Sequence, residues 1–487
     1  MKKAMKLLSM MLIIGLTAGC NGGGVKNDLQ PKVSQTALQE EQTLPGEISK
    51  ENTEEAEVSG DPALSLVDLK LEGTLKISTY EDDDYIEAAS KAFEAKYPDV
   101  HIEVNTFAPL NIETTADGQG VIASSNEDPN LSRDKYVTQL NTAFMNGTAS
   151  DLINLFGLPF YKYAESGYLY DLKNTMNGPD GLNREEYYMN VIDAMQFDEG
   201  YYSMPFVYNV ESLGVLKPIL EAAGMTEEDL TNETWNLQTI VELCKKVEEK
   251  TGKKYTISKH MDGARFVNML FRMNQNEYID IKAKKANFDS EAFIKELKSV
   301  KDLEDEGYLD KDSINALFLS SNELYQPYCS EKYYSPSWED YAVGWKPYVN
   351  DAGASQMLCY CHYGLNAASE NKELAWEFIK FLYSEEMQES SYGVHVNKAA
   401  EKKAMEKLVD YFEAEPQIQL NGPKEEIVAD FIRWDEARLQ AVKTTNLLDQ
   451  AVSELVYSEI CPYFTGEKTA QEVAQNLQNK VNVMLNE

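Results

Sequence analysis

The chain has 487 residues, with 45 Lys and Arg against 81 Asp and Glu, and so carries a formal net charge of −36. At 43% hydrophobic, 26% charged and 10% aromatic it composes like a soluble globular protein, which excludes low-complexity and collagen-like classes. Its length exceeds the roughly 250–300 residues that one hydrophobic core supports, and its negative charge, with no Lys/Arg cluster to offset it, excludes nucleic acid as a partner.

The N-terminus carries an address. Lys2, Lys3 and Lys6 precede an apolar run from Leu7 to Leu16 that is too short to span a bilayer; Thr17, Ala18 and Gly19 follow, and then Cys20. The run Leu16-Thr-Ala-Gly-Cys20 resembles the bacterial lipobox, whose cysteine becomes the acylated first mature residue, with Thr17 where leucine is commoner. Residues 1–20 are therefore expected to be a lipoprotein signal peptide. Two acyl chains, at about 0.8 kcal/mol per buried CH₂, would hold the protein on the membrane without a transmembrane helix. Residues 21–72 are rich in Gln, Ser, Thr and Glu with almost no aromatic residue, and are expected to form a disordered acidic tether.

The folded part begins at Leu75–Tyr80, which alternates apolar and polar side chains as a strand does. Ile86, Ala89, Phe93 and Tyr97 then recur at helical spacing until Pro98, and Val100, Ile102 and Val104 alternate again. A β-α-β unit of this kind places two parallel strands in one sheet. Ligands of open α/β sheets gather at the carboxyl ends of the strands, so the loop from Tyr80 through Glu81, Asp82 and Asp83 to Asp84 occupies a functional location. Carboxylates there also suit a solvated helix start, and the two readings weigh about equally.

A helical stripe at Val137, Leu140 and Phe144 leads to a buried strand from Asp151 to Phe156. Between the two β units, Gly118-Gln-Gly120 mimics a dinucleotide fingerprint but is read as having no strand before it. Helices are predicted at Gln238–Glu249, Ser290–Asp305, Lys372–Tyr383 and Thr469–Leu485, the last opening on Thr469 and Glu472 at capping-box spacing. Cys244, Cys329, Cys359, Cys361 and Cys461 fit no zinc spacing and read as small core residues. Cys359 and Cys361 sit two apart, on one face if the segment is a strand.

No P-loop, HExxH, GxSxG or paired CxxC motif occurs, and neither a catalytic group nor a metal or cofactor set is nominated. The 29 tyrosines and five tryptophans stand out instead, clustered at Tyr201–Tyr208, Tyr325–Tyr328, Tyr333–Tyr348 and Tyr360–Tyr363. Aromatic faces suit the C–H patch of a pyranose, and neighbouring carboxylates and amides suit its hydroxyls, so the clusters point to a carbohydrate-binding cleft.

Five segments together carry a family resemblance. Gly364 to Leu382, with its Ala375-Trp-Glu-Phe378 core, closely resembles a motif of the extracellular solute-binding proteins of ABC importers, the maltodextrin-binding type. Lys91–Pro98, Met145–Leu172, Met204–Asn209 and Thr465–Thr469 resemble further segments of that family in order and spacing, and the likeness covers residues 73–487.

The resemblance implies an α/β fold of two lobes, periplasmic-binding-protein-like, with a hinge and an interlobe ligand cleft. Lobe 1 would take 73–207 and 364–412, and lobe 2 would take 208–363 and 413–487. It further implies a lipid-anchored, extracytoplasmic sugar receptor, monomeric and without enzymatic activity, that delivers a sugar or oligosaccharide to an ABC permease. The ligand contacts it nominates are Tyr80, Asp82, Asp83, Phe156, Tyr208, Asn209, Tyr325, Trp345 and Tyr363. The polar insertion from Ala108 to Lys135 is longer than the pattern predicts. Two rivals are weighed: a ferric-iron-binding relative on the same fold, suggested by Tyr187–Tyr188, Tyr201–Tyr202 and Tyr333–Tyr334, and a surface glycoside hydrolase using paired carboxylates.

Overall fold

The computed structural model describes residues 60–66, 70–109, 111–114, 121–124, 129–321, 342–350, 352–389, 395–414, 420, 422–445 and 450–486. By its packing the chain divides into two units, one of Met1–Ser59 with Leu110–Asn126 and the other of Gly60–Pro109 with Glu127–Glu487.

In the larger unit β1 (Gly73–Thr79) and β2 (Val100–Thr106) run parallel, paired from Gly73 with Val100 to Thr79 with Thr106. The helix Asp84–Lys96 joins them and buries Ile86, Ala89 and Phe93. Leu75 and Ile77 are fully buried on the inward face of β1, so the β-α-β unit forms for the reason its alternation gives. In the smaller unit β3 (Asn111–Thr114) and β4 (Val121–Ser124) form an antiparallel hairpin pairing Asn111 with Ser124. A strand does therefore precede Gly118, which itself lies outside the described residues. The element after it is an antiparallel strand, so the strand-then-helix order of a dinucleotide turn is missing.

The larger unit continues with β5 (Leu152–Asn154), β6 (Met204–Asn209), β7 (Ser212–Leu216), the short hairpin β8 (Ile279–Asp280) and β9 (Lys285–Ala286), β10 (Phe318–Ser321), β11 (Ala342–Pro347), β12 (Ser355–Leu365) and β13 (Val442–Thr445). Six strands make one sheet in the order β13-β12-β5-β1-β2, with β6 also paired to β12. Along its length β12 changes partner: Ser355–Met357 pair with β13, Leu358–Tyr363 with β6, and Tyr363–Leu365 with β5. A second sheet, β10-β7-β11, is antiparallel.

Each sheet serves its own core, and these two cores make the α/β fold two-lobed. One packs Leu75, Phe93, Met204, Tyr363, Trp376 and Phe378 around the six-stranded sheet. The other gathers Val215 from β7, Phe318 from β10, and Ile240, Phe266, Phe271, Leu297 and Val473 from the helices Leu237–Thr251, Gly263–Met273, Glu291–Asp305 and Ala470–Asn486, with Trp235 from the loop before the first of these, and reaches Ile153 of β5 and Leu155 just after it. The last helix is capped as its sequence predicts: Glu472 N–H donates to Thr469 Oγ1 at 3.2 Å, and Thr469 N–H donates to the Glu472 carboxylate at 2.7 Å. Cys244, Cys359 and Cys361 are buried, Cys461 is half-buried, and none is bridged; Cys20 and Cys329 lie outside the described residues.

The end of the predicted tether departs from expectation. Gly60–Leu66 is strapped to the first core: Asp171 N–H donates to Asp61 Oδ2 at 2.7 Å, Tyr170 Oη to Pro62 O, Leu64 N–H to Thr175 Oγ1 at 3.0 Å, and Leu66 N–H to Asp180 Oδ2 at 3.0 Å. Leu64 buries its side chain in that core. Gly60 holds φ +104°, and a Cβ there would lie 2.6 Å from Asp171 Oδ2, so the strap begins where only glycine fits. Within the described residues no helix is long and apolar enough to cross a membrane.

Candidate functional site

The carboxyl ends of β1 and β5 lead to two aromatic residues, Tyr80 and Phe156, that share one guanidinium neighbour. Tyr80 is half-buried against Phe107 and Tyr136, with ring centroids 6.3 and 5.6 Å away. Arg133, from the helix Pro129–Met145, links the two strand ends. Its guanidinium lies 4.5 Å from the Tyr80 ring centre and 5.9 Å from that of Phe156, and Nη1 donates to Phe156 O at 3.1 Å. Gly157 makes the approach possible, since its φ is +68° and a Cβ would sit 2.4 Å from Arg133 Nη1.

Phe156 is 37% exposed, and its ring stands 5.7 Å from that of Tyr360 on β12. Burial raises the Tyr360 hydroxyl, while the Arg272 charge and hydrogen bonds from the Arg272 and Asn209 side chains hold it down. Arg272, near the end of the helix Gly263–Met273, thereby brings the second core to the strands that cross between the lobes. Next to it, burial lifts the Glu211 carboxyl and Arg272 opposes the lift. Glu211, Arg272, Gln356, Met269, Met273 and Leu358 line a small pocket of about 20 Å³, room for about one water, that opens to solvent. The result is a continuous run, Tyr80–Arg133–Phe156–Tyr360–Arg272–Glu211, of aromatic faces alternating with donors and acceptors.

The nominated contacts divide. Tyr80 and Phe156 lie on this run, Asn209 hydrogen-bonds the Tyr360 hydroxyl within it, and Asp82 is exposed on the loop after Tyr80. Asp83 is occupied: Oδ1 accepts from Ile86 N–H at 3.1 Å as the helix N-cap, and Oδ2 accepts from Tyr363 Oη at 2.9 Å and Cys361 Sγ at 3.5 Å. Tyr363 and Tyr208 are fully buried in the first core, and Tyr208 Oη donates to His395 O at 3.4 Å. Trp345 is 6% exposed, donates through Nε1 to Ala342 O at 3.0 Å, and covers Gly214 so closely that a Cβ there would sit 2.5 Å from the ring. Packing and filled hydrogen-bond capacity thus keep Asp83, Tyr208, Trp345 and Tyr363 off the run, while Tyr325 lies outside the described residues. Tyr187, Tyr188 and Tyr201 are also buried, Tyr201 Oη donating to Asp193 at 2.6 Å, and Tyr333 and Tyr334 lie outside the described residues.

Sequence reasoning missed Arg133, Glu211, Arg272, Gln356 and Tyr360. For two of them a signal was present. Placing Cys359 and Cys361 on one face of a strand puts Tyr363 with them and turns Gln356 and Tyr360 to the other face.

A family model described as bacterial extracellular solute-binding protein matches residues 126–395. Among solved structures the chain is similar to an extracellular solute-binding protein family 1 from Alicyclobacillus acidocaldarius, with a TM-score of 0.56 and 16% identity over 86% of this chain and 100% of that one. It is also similar to the cyclic alpha-maltosyl-1,6-maltose binding protein from Arthrobacter globiformis, with a TM-score of 0.54 and 14% identity over 85% of this chain and 99% of that one. At such identities the likeness speaks for the fold alone. No curated protein matches the chain.

Proposed function

The chain belongs to the bacterial extracellular solute-binding proteins, and from that membership we propose that it captures a sugar or oligosaccharide by hinge closure and delivers it to an ABC permease. The observation that carries the sugar reading is the run itself: the Tyr80, Phe156 and Tyr360 rings offer faces for pyranose C–H groups, and Arg133, Asn209, Arg272 and Glu211 offer donors and acceptors for hydroxyls. The similar Arthrobacter protein, a cyclic alpha-maltosyl-1,6-maltose binding protein, favours the same class. We assign the ligand contacts to Tyr80, Asp82, Phe156 and Asn209, joined by Arg133, Tyr360, Arg272 and Glu211.

Hinge closure needs contacts from both lobes, which we set at 73–207 with 364–412 and at 208–363 with 413–487. Moving a closed population from 1:99 to 99:1 takes about 5.5 kcal/mol of preferential binding to the closed form. One stacking platform supplies about 1 kcal/mol, so hydrogen bonds such as those of Arg133 and Arg272 must supply the rest. Acylation at Cys20 would keep the receptor on the extracytoplasmic face of the membrane as a monomer beside its permease. Mass spectrometry of the mature N-terminus, and release of a Cys20→Ala chain into the medium, test the anchor.

Calorimetry against a panel of mono- and oligosaccharides, paired with scattering on the same samples, tests the whole reading. Binding accompanied by a smaller radius of gyration is the expected result. A panel in which no saccharide binds, or a visible charge-transfer colour on adding ferric iron, would overturn it.

A further inference from the structure

The chain holds six arginines against 81 acidic residues, so a guanidinium without a carboxylate partner goes against the composition. Four of the six have one: Arg184, Arg265, Arg433 and Arg438 each lie within 4.0 Å of an aspartate, Asp193, Asp262, Asp430 and Asp435 respectively. Among the described residues Arg133 and Arg272 make no ion pair, and these are the two arginines of the run.

Of the two, Arg133 is the freer. Glu211 lines the same one-water pocket as Arg272, and its titration answers to the Arg272 charge. Beside Arg133, partial burial raises the Glu81 carboxyl and the Arg133 charge opposes that rise, yet the two do not meet as an ion pair. Asp83 is already given to Ile86 and Tyr363.

A guanidinium presents five N–H donors in one plane. One of them, on Nη1, goes to Phe156 O at 3.1 Å, and the half-buried side chain is held against the Tyr80 face, 4.5 Å from its centre. Among the described residues its other donors have no acceptor. A planar cation fixed in this way suits a carboxylate, which can accept two parallel N–H···O bonds from its open edge. In a uronic acid the carboxylate is bonded directly to the pyranose ring. A ring resting on Phe156, which is 37% exposed, therefore carries its charge beside the guanidinium 5.9 Å away. One guanidinium offsets one negative charge, so a dianionic phosphate is disfavoured near Glu81 and Asp82, and the ammonium of an amino sugar would face Arg133. The net charge of −36 opposes an anion at long range, but the screening length is about 8 Å at physiological ionic strength, so contact pairing decides.

We propose that Arg133 is the receptor for the carboxylate of a uronic acid, so that the saccharide taken up is an acidic one. The proposal rests on the sugar-binding reading above and names its substrate class.

Calorimetry on the full chain at neutral pH with three pairs matched except at C6 tests it: glucuronate and glucose, galacturonate and galactose, and mannuronate and mannose. In at least one pair the acid should bind about tenfold or more tightly than its neutral counterpart, the factor that about 1.4 kcal/mol confers. The methyl ester of that acid, which keeps the oxygens and loses the charge, should fall back by the same factor on the unaltered protein. Arg133→Gln should shrink the acid-to-neutral ratio to about threefold or less, and Arg133→Lys should restore part of it. The ester comparison decides should the glutamine variant not fold. Equal affinities within every pair, an ester that binds as well as its acid, a 6-sulfate that binds more tightly than every uronate, or a ratio that survives Arg133→Gln would overturn the assignment and leave sugar binding standing. Failure of every sugar, acidic or neutral, to bind would overturn the sugar reading along with it.

Discussion

Tyr360 and Tyr363 lie three residues apart on β12 and face opposite ways. Tyr363 is sealed in the first core beside Phe206, its hydroxyl given to Asp83, which also caps the 84–96 helix. Tyr360 is half-buried, looks toward Phe156, and shares its hydroxyl with Arg272 and Asn209. The same residue type is thus structural on one face and part of the proposed ligand site on the other, because a strand's side chains alternate. The contrast separates a region whose polar groups are used up in folding from one whose polar groups still have capacity.

Four experiments probe that separation. The largest effect is expected from Asp83→Ala, which removes a helix cap and strands the buried Tyr363 hydroxyl. Together these should lower unfolding free energy by about 2–4 kcal/mol in denaturant titrations. Should stability hold while sugar affinity collapses, Asp83 belongs to the ligand and the division is misplaced.

Acid should come next. Burial pushes His362 from the ordinary 6.5 down to about 3, and its Nδ1 lies 2.5 Å from Ser203 Oγ. Below pH 6.5 the unfolded chain takes up a proton that the folded chain refuses. Stability that is complete at neutral pH is therefore lost as pH falls from 6.5 toward 3, by about 1.4 kcal/mol per unit. Urea midpoints at neutral pH and two units below pH 6.5 should differ by about 2–3 kcal/mol, and His362→Gln should flatten the difference. An unchanged slope would show that other groups set the acid limit.

Arg133→Ala should weaken sugar binding tenfold or more, about 1.5–2 kcal/mol, with Arg133→Lys recovering only part, because an ammonium lacks the planar fork and stacking surface. The smallest and sharpest test is the tyrosine pair. Tyr360→Phe should lose about 1 kcal/mol of binding with little change in stability, and Tyr363→Phe about 1 kcal/mol of stability with little change in binding. If both variants behave alike, the two faces of β12 are not functionally distinct.

Much of the scaffold could be read from the sequence because it depends on local pattern. The alternation of Leu75 and Ile77, the stripe of Ile86, Ala89 and Phe93, and the Thr469–Glu472 cap all appear where spacing puts them. The site could be read only in part. Tyr80 and Phe156 were accessible to reasoning because they follow strands at their carboxyl ends. Tyr208 and Trp345 were nominated by the family resemblance, which supplies a position but not the packing of its ring; both are buried, and Trp345 lies against Gly214, a residue 131 positions earlier. Arg133, Arg272 and Glu211 carry no local signature; each becomes significant only when distant segments meet.

The strap at Gly60–Leu66 has a mechanical consequence. Four backbone and hydroxyl hydrogen bonds and the buried Leu64 rivet the start of the folded chain to the six-stranded-sheet lobe. In a receptor anchored by its N-terminus as proposed, a pull on the leader would enter through that rivet and make this lobe the fixed jaw. The other lobe, receiving no such load, would be the one to swing.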